Sequence, residues 1–250
     1  MSERLSHSYV VPLFLALATF PQLSSAQPHT TSDLQAMLST FVVARDLGQK
    51  EAILNRLTSR FGEAAGPGLL EVAIQADDLD TRWMAIRGIG YVKFQPAARR
   101  LIEWLGSPEH YVRANAARAL GEIRADSAKP LIELLTKETD SGVIEQTALA
   151  LEMLHATEAV LALEQRANHP SPQTRIWLVG AVEVLGSRRE LPFFAHHLFD
   201  EDIQVAAQAA GAIERLTGQD FGFPKGHFGL GEVETAVMRA RLWWERTQGR

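Results

Sequence analysis

The sequence predicts an all-α fold, an α-solenoid in which about six helical hairpins are stacked and a C-terminal helix closes the last of them. Two observations predict it: apolar residues with helical spacing recur every 31 residues, and turn-forming residues separate the recurrences. The chain has 250 residues, of which 46% are apolar, an ordinary globular composition that excludes disordered and collagen-like classes.

Charge and cysteine content exclude further classes. The chain carries 25 Lys and Arg against 30 Asp and Glu, a formal net charge of −5, and it has no Cys. Thiol nucleophiles, thiolate zinc sites and iron–sulfur clusters are therefore impossible. The acidic balance also disfavours nucleic acid as a partner, because phosphate binding depends on a concentrated basic surface.

The first 26 residues have the layout of a secretory signal peptide. A polar stretch is followed by the apolar run Val10–Phe20, and Ser24 and Ala26 put small residues before the expected cleavage point. The run is too short to span a membrane core of about 30 Å, so we expect a periplasmic or secreted bacterial protein without stable membrane insertion. The alternative is a buried first helix or an interfacial anchor, favoured by a proline inside the run.

Residues 27–49 are predicted to supply the first helix of the first hairpin, with Ser32 as N-cap of a helix over Asp33–Leu47. The repeats follow over 50–217, beginning with a weaker copy near Lys50. A terminal repeat is expected to degenerate because its outer face contacts water.

Five segments in phase define the repeat, and a long helix is predicted in each. At the fifth, sixth, eighth, ninth and twelfth places, 23 of 25 residues are apolar, the exceptions being Gly88 and Thr147. The eighth place is always small, which lets a neighbouring helix approach closely. The segments begin at Thr81, Val112, Val143, Thr174 and Val205.

A second apolar stretch lies about twenty residues into each unit and predicts a shorter helix, so that each unit is a long helix followed by a short one. Its first apolar residues are Leu101, Ile132, Leu163 and Phe194.

The tail, 218–250, departs from the period. A Gly-rich stretch over 226–231 precedes a predicted helix from about Glu232 to Arg246, which contains Trp243 and Trp244. We interpret this helix as a cap with both tryptophans in structural roles; the alternative is a ligand site formed by the loop and the two rings.

The segments Val112–Gly121 and Pro130–Leu135 resemble the short HEAT-like repeats first associated with phycobilin lyases, and the resemblance covers roughly 50–217. It implies a solenoid whose long helices line the concave surface. It also implies that arginine at the second place braces adjacent repeats, with Asp80, Glu109 and Asp202 as nearby acids. That arginine is present as Arg82, Arg113 and Arg175 but is replaced by Ile144 and Ala206.

Catalytic motifs are missing from the sequence. There is no HExxH, no GxSxG and no phosphate-binding glycine loop. His196 and His197 diverge by about 100° on a helix and cannot easily share a metal, and the acidic runs near Asp78 and Asp202 fit solvated turns and N-caps. We therefore predict no enzymatic activity, no cofactor and no metal.

The exposed face of the long helices is the predicted binding surface, because Trp and Arg in an open groove often anchor a protein partner. The alternative is that the tryptophans fold over neighbouring helices as spacers. The predicted function is a non-enzymatic scaffold for a protein or extended peptide; the alternative is a lyase-like enzyme subunit of the bilin-lyase type. The predicted partner-binding residues are Trp83, Met84, Arg87, Asn115, Arg118, Gln146 and Trp177.

Overall fold

The computed structural model describes residues 31–223 and 230–248, and all regular structure within them is helical. The predicted signal peptide lies outside the described residues. None of the helices in this part of the chain combines the length and the apolar character of a membrane span. The helices are α1 (Thr31–Val43), α2 (Leu47–Phe61), α3 (Gly66–Gln75), α4 (Leu79–Tyr91), α5 (Ala98–Trp104), α6 (His110–Glu122), α7 (Ala128–Lys137), α8 (Ser141–Met153), α9 (Val160–Arg166), α10 (Pro172–Leu185), α11 (Leu191–His197), α12 (Ile203–Thr217) and α13 (Leu230–Gln248).

The helices form the two layers of an α-solenoid, which confirms the predicted fold class. The long helices α4, α6, α8, α10 and α12 are stacked side by side, and each also packs against the short helix that precedes it in the chain. Each hairpin therefore begins with the short helix and ends with the long one, which is the reverse of the predicted order. The reason is the connection: a tight turn such as 138–140 leads from a short helix to the next long one, whereas a 3-10 turn such as Gln95–Ala97 intervenes on the way back.

Small residues let the long helices pack closely. A Cβ atom at Gly121 would lie 2.8 Å from the Cα atom of Ala150, and one at Gly90 would lie 3.0 Å from that of Ala119. The short helices contact one another much less. Because helices on the inner side of a curved stack lie closest together, this packing is the one expected of a concave long-helix layer.

The predicted core places are almost all buried. Leu154 and Leu216 are half-buried, and the other places, including the two that are not apolar, are buried. At Gly88 a Cβ atom would come within 2.7 Å of the Leu54 side chain. The Thr147 hydroxyl donates to the Val143 carbonyl at 2.7 Å, so its burial leaves no unsatisfied donor.

The N-terminal hairpin corrects the predicted boundaries. The stretch over 33–47 is not one helix, because Asp46 caps α2 by accepting a hydrogen bond from the Gln49 backbone at 2.9 Å. Ser32 lies inside α1, and the predicted boundary between 49 and 50 falls inside α2. Lys50 is buried and donates to the Thr81 hydroxyl, the residue one repeat further on.

The last helix, α13, packs against α12 as the predicted cap. Ala236, Val237 and Ala240 are buried in this contact region, and Trp243 and Trp244 are partly buried against the core. Most of the Gly-rich stretch lies outside the described residues.

Candidate functional site

The long-helix face consists of the side chains at the fourth, seventh and tenth places of the five long helices. These places recur on one side of each helix because three residues make almost a full turn. From α4 to α12, the fourth place holds Met84, Asn115, Gln146, Trp177 and Gln208; the seventh holds Arg87, Arg118, Leu149, Gly180 and Gly211; and the tenth holds Gly90, Gly121, Glu152, Glu183 and Glu214.

The N-terminal end of this face is occupied by contacts within the chain. The Arg87 guanidinium lies 5.5 Å from the ring centroids of both Trp83 and Tyr91 and donates to Glu51 at 3.0 Å. The Trp83 ring is stacked on Tyr111 with 6.1 Å between centroids. The predicted binding residues Trp83 and Arg87 therefore have partners within the chain. For Trp83 this agrees with the alternative interpretation, in which the ring folds over a neighbouring helix as a spacer.

The middle of the face is a polar network. Arg118 donates to Glu122 at 2.8 Å and to Gln146 at 3.4 Å, and the Asn115 amide donates to the carbonyl of Tyr111 at 2.8 Å. These side chains lie on the face where they are predicted.

Met84 is an exception to the predicted surface. Its side chain is only 1% exposed and belongs to the core, because α4 also packs against α2 and α3. Met84 is therefore not an exposed binding residue, and its inclusion in the predicted set is wrong.

The C-terminal half of the face is more open. Trp177 is half-buried, and no ring contact or hydrogen bond joins its side chain to another residue in the described part of the chain. Beyond it the seventh place holds only glycine, at Gly180 and Gly211. Trp177 is thus the predicted binding residue that the structure leaves most available.

Carboxylates line the edge of this half. Glu183 accepts hydrogen bonds from Gln208 at 2.5 Å and from Arg215 at 3.1 Å. The Glu152 carboxylate accepts no hydrogen bond from any of the described residues. Burial, and secondarily the negative charge of Glu183, raise the pKa of Glu152 to about 6.

A cavity of about 850 Å³ lies between α12 and α13, at the C-terminal end of the face. Four residues belong to both the face and the cavity lining: Glu183, Gln208, Gly211 and Glu214. The prediction missed this cavity and the two seventh-place glycines, although the glycine column is visible in the sequence. The apolar lining residues are Ile203, Ala207, Phe223, Leu230 and Val233.

The second-place arginines join consecutive turns of the solenoid. Arg113 donates to Glu138 at 2.7 and 3.0 Å, and Arg175 donates to Asp200 at 2.9 and 2.7 Å. Each also donates to carbonyl oxygens in the turn before its own helix. Arg82 makes the same kind of contact, to the Ala76 carbonyl at 2.7 Å, but is not hydrogen-bonded to a carboxylate of the described residues. The Arg175 guanidinium lowers the pKa of Asp200 despite its burial.

The acids expected near these arginines make their hydrogen bonds to other groups, although Glu109 and Asp202 lie close enough to interact electrostatically with Arg113 and Arg175. The Asp80 carboxylate accepts a hydrogen bond from the Trp83 indole at 3.1 Å, Glu109 accepts one from the hydroxyl of Ser107, and Asp202 caps α12. The carboxylates bound by Arg113 and Arg175 lie one turn further along the solenoid, because the guanidinium reaches across to the next repeat.

The two adjacent histidines have different surroundings, although their ring centroids are only 5.1 Å apart. His197 is buried and His196 is exposed, and burial lowers the pKa of His197 to about 4. No cluster of residues suited to a metal ion is found among residues 31–223 and 230–248.

Comparisons with known proteins agree with this architecture. Residues 66–152 match the family model for HEAT repeats. A solved structure of the complex of CpcE and CpcF of phycocyanin lyase from Nostoc sp. PCC7120 contains a similar chain, with a TM-score of 0.53 and 21% identity over 80% of this chain and 82% of that one. The fold is a HEAT-like α-solenoid.

A crystal structure of an engineered protein also matches, with a TM-score of 0.43 and 18% identity over 86% of this chain and 97% of that one. No curated protein matches the sequence.

Proposed function

We propose that this protein is an exported, non-enzymatic scaffold that binds a protein or an extended peptide along its long-helix face. The observation that carries the proposal is the C-terminal half of that face, where an aromatic ring and a half-buried carboxylate, Trp177 and Glu152, have no partner in the described part of the chain. Such groups gain most from a partner that covers them.

The length of the face favours a long ligand. The open half of the face extends over two repeats, from Glu152 on α8 to the cavity beside α12, which corresponds to roughly 20 Å at ~10 Å per repeat. An extended polypeptide segment of about six residues covers that distance at ~3.3 Å per residue. The similar Nostoc chain is part of a complex of two proteins, which adds support for a protein partner.

The test is crosslinking and capture with the purified mature protein in the periplasmic fraction of the native cells. We expect one protein to be captured by the wild type and by Trp83→Ala, and lost with Trp177→Ala, because the Trp83 ring is already stacked within the chain. Thermal melting checks that both variants are folded. Equal capture by all three proteins, or capture of nothing, would contradict the proposed binding face.

Export has its own test. Mass spectrometry of the protein recovered from the periplasm or medium should find an N-terminus at Gln27. A protein that retains residues 1–26 in the cytoplasm would overturn this part of the proposal.

A lyase-like enzyme subunit of the bilin-lyase type is the second candidate, favoured by the likeness to the phycocyanin lyase complex. This candidate function predicts that the visible absorption spectrum of a linear tetrapyrrole changes when the protein is added, because the pigment binds. The scaffold proposal predicts an unchanged spectrum.

A further inference from the structure

Two glycines in the C-terminal half of the long-helix face have no packing reason. Glycine inside a helix costs roughly 0.5–1 kcal/mol relative to alanine. At Gly90 and Gly121 the close approach of the next helix explains why the residue is glycine. A Cβ atom at Gly211 would meet nothing within 4 Å, and one at Gly180 would meet only the Gln208 amide at 3.6 Å.

The missing side chains leave space over α10 and α12. Gly211 is part of the lining of the cavity between α12 and α13, whose volume of about 850 Å³ lies within the range of roughly 300–1,000 Å³ usual for ligand sites. Trp177 precedes Gly180 by three residues, so its ring stands on the same side of α10. We call the part of the long-helix face over α10 and α12 the glycine strip, and this strip has an aromatic ring at one end and an apolar cavity at the other.

The charge along this strip is negative. The tenth place holds Glu152, Glu183 and Glu214, and Arg215, which also lines the cavity, already donates to Glu183. At the thirteenth place of the repeat, two residues past the ends of α4, α6 and α8, the first three units have a basic residue and the last two have none. The residues at that place are Lys93, Arg124, His155, Gly186 and Thr217.

We propose that the C-terminal half of the long-helix face binds a basic and apolar segment of the partner protein. An apolar side chain of that segment enters the cavity between α12 and α13, and a Lys or Arg side chain lies between Glu152 and Glu183. A cation there supplies the donor that Glu152 lacks and offsets the repulsion between the two carboxylates. This inference rests on the proposed scaffold function and specifies the chemistry of its partner.

The test uses purified mature protein and immobilised synthetic peptides of about ten residues, each with one basic and one apolar residue at varied spacing. Matched peptides replace the basic residue by Glu or Ser. We expect the wild type to retain the basic and apolar peptides at least about tenfold better than either replacement set. Equal retention of all three sets would overturn the inference.

Variants at one position test the cavity. Gly211→Phe places an aromatic ring in the cavity without a backbone clash, and Gly211→Ala is the matched control that changes the helix in the same way but adds only a methyl group. We expect about tenfold weaker binding for Gly211→Phe and unchanged binding for Gly211→Ala, with both melting at or above the wild-type temperature. Glu152→Gln should remove the preference for a basic residue while binding to the apolar residue persists.

The outcomes separate this inference from the function on which it rests. Binding that is insensitive to Gly211→Phe but lost with Trp177→Ala would overturn the cavity site and leave the scaffold function standing. Failure of the wild type to retain any peptide and to capture any native partner would overturn both.

Discussion

Asp200 is bound by two arginines, one at its carboxylate and one at its backbone carbonyl. Arg175 donates to both carboxylate oxygens, and Arg241 of α13 donates to the backbone carbonyl of the same residue at 3.3 Å. One repeat earlier the equivalent pair is Ile144 and His169, so arginine and acid are replaced together. In both repeats the second member accepts a backbone N–H two residues further on.

Removing this arginine should destabilise the protein strongly. The Arg175 and Asp200 side chains are 8% and 9% exposed, so Arg175→Ala leaves a buried carboxylate unpaired. We expect a loss of about 3–5 kcal/mol in the free energy of unfolding, measured by urea denaturation.

Two further variants serve as controls. Arg82→Ala loses a carbonyl contact and should cost roughly 1 kcal/mol. The double variant Arg175→Ile, Asp200→His reproduces the pair of the preceding repeat and should recover part of the loss. Equal effects of the two single variants would contradict the bracing role.

The buried imidazole of His197 should make stability depend on pH. Its pKa is about 4 in the folded protein against 6.5 ordinarily, so the unfolded chain takes up the proton first as the pH falls. The stabilisation is present above pH 6.5 and is lost as the pH falls to about 4. By linkage this amounts to at most about 3 kcal/mol.

The measurement is the free energy of unfolding against pH for the wild type and His197→Leu. The variant should lack this decline. Glu152 acts in the opposite direction, because its raised pKa means that protonation below about pH 6 stabilises the fold. Its effect is common to both proteins and cancels in the difference. Parallel curves would show that His197 is not the group that titrates.

Close packing between long helices is the feature most sensitive at the scale of an element. Ala150 lies against Gly121 of the preceding long helix. Ala150→Leu should overpack this seam and cost about 1–3 kcal/mol. The exposed Ala52 of α2 is the matched control, and Ala52→Leu should change the free energy of unfolding by less than about 0.5 kcal/mol. A neutral Ala150→Leu would mean that the seam is loose.

The cap helix is the second test at this scale. Deleting the chain from Gly226 removes α13, whose Val237 and Ala240 are buried. The outer side of α12 then loses its last neighbour, and we expect aggregation or loss of a cooperative melting transition. Arg241→Ala removes only the contacts of that guanidinium with two backbone carbonyls and the Phe199 ring, and this variant should melt cooperatively. An unchanged melt of the truncated protein would show that the helix is an appendage.

Across the whole molecule, stability should be highest in the middle of the stack. Each repeat contacts mainly its neighbours, and α6 and α8 pack most closely. In hydrogen exchange followed by mass spectrometry, we expect slowest exchange in α6 and α8 and fastest in α1 and α13. Uniform protection along the chain would indicate a single cooperative unit instead.

The 31-residue spacing by itself determined the alternation of long and short helices from α4 to α12 and most of the core residues of the long helices. These depend on local periodicity, which a sequence displays directly. Packing between helices decided the rest. The burial of Met84, the reach of Arg175 to Asp200 and the open space over Gly211 each depend on a neighbouring helix or turn that is remote in the chain. Periodicity shows which side of a helix is apolar, but only the neighbouring helices decide what that side touches and where the surface stays open.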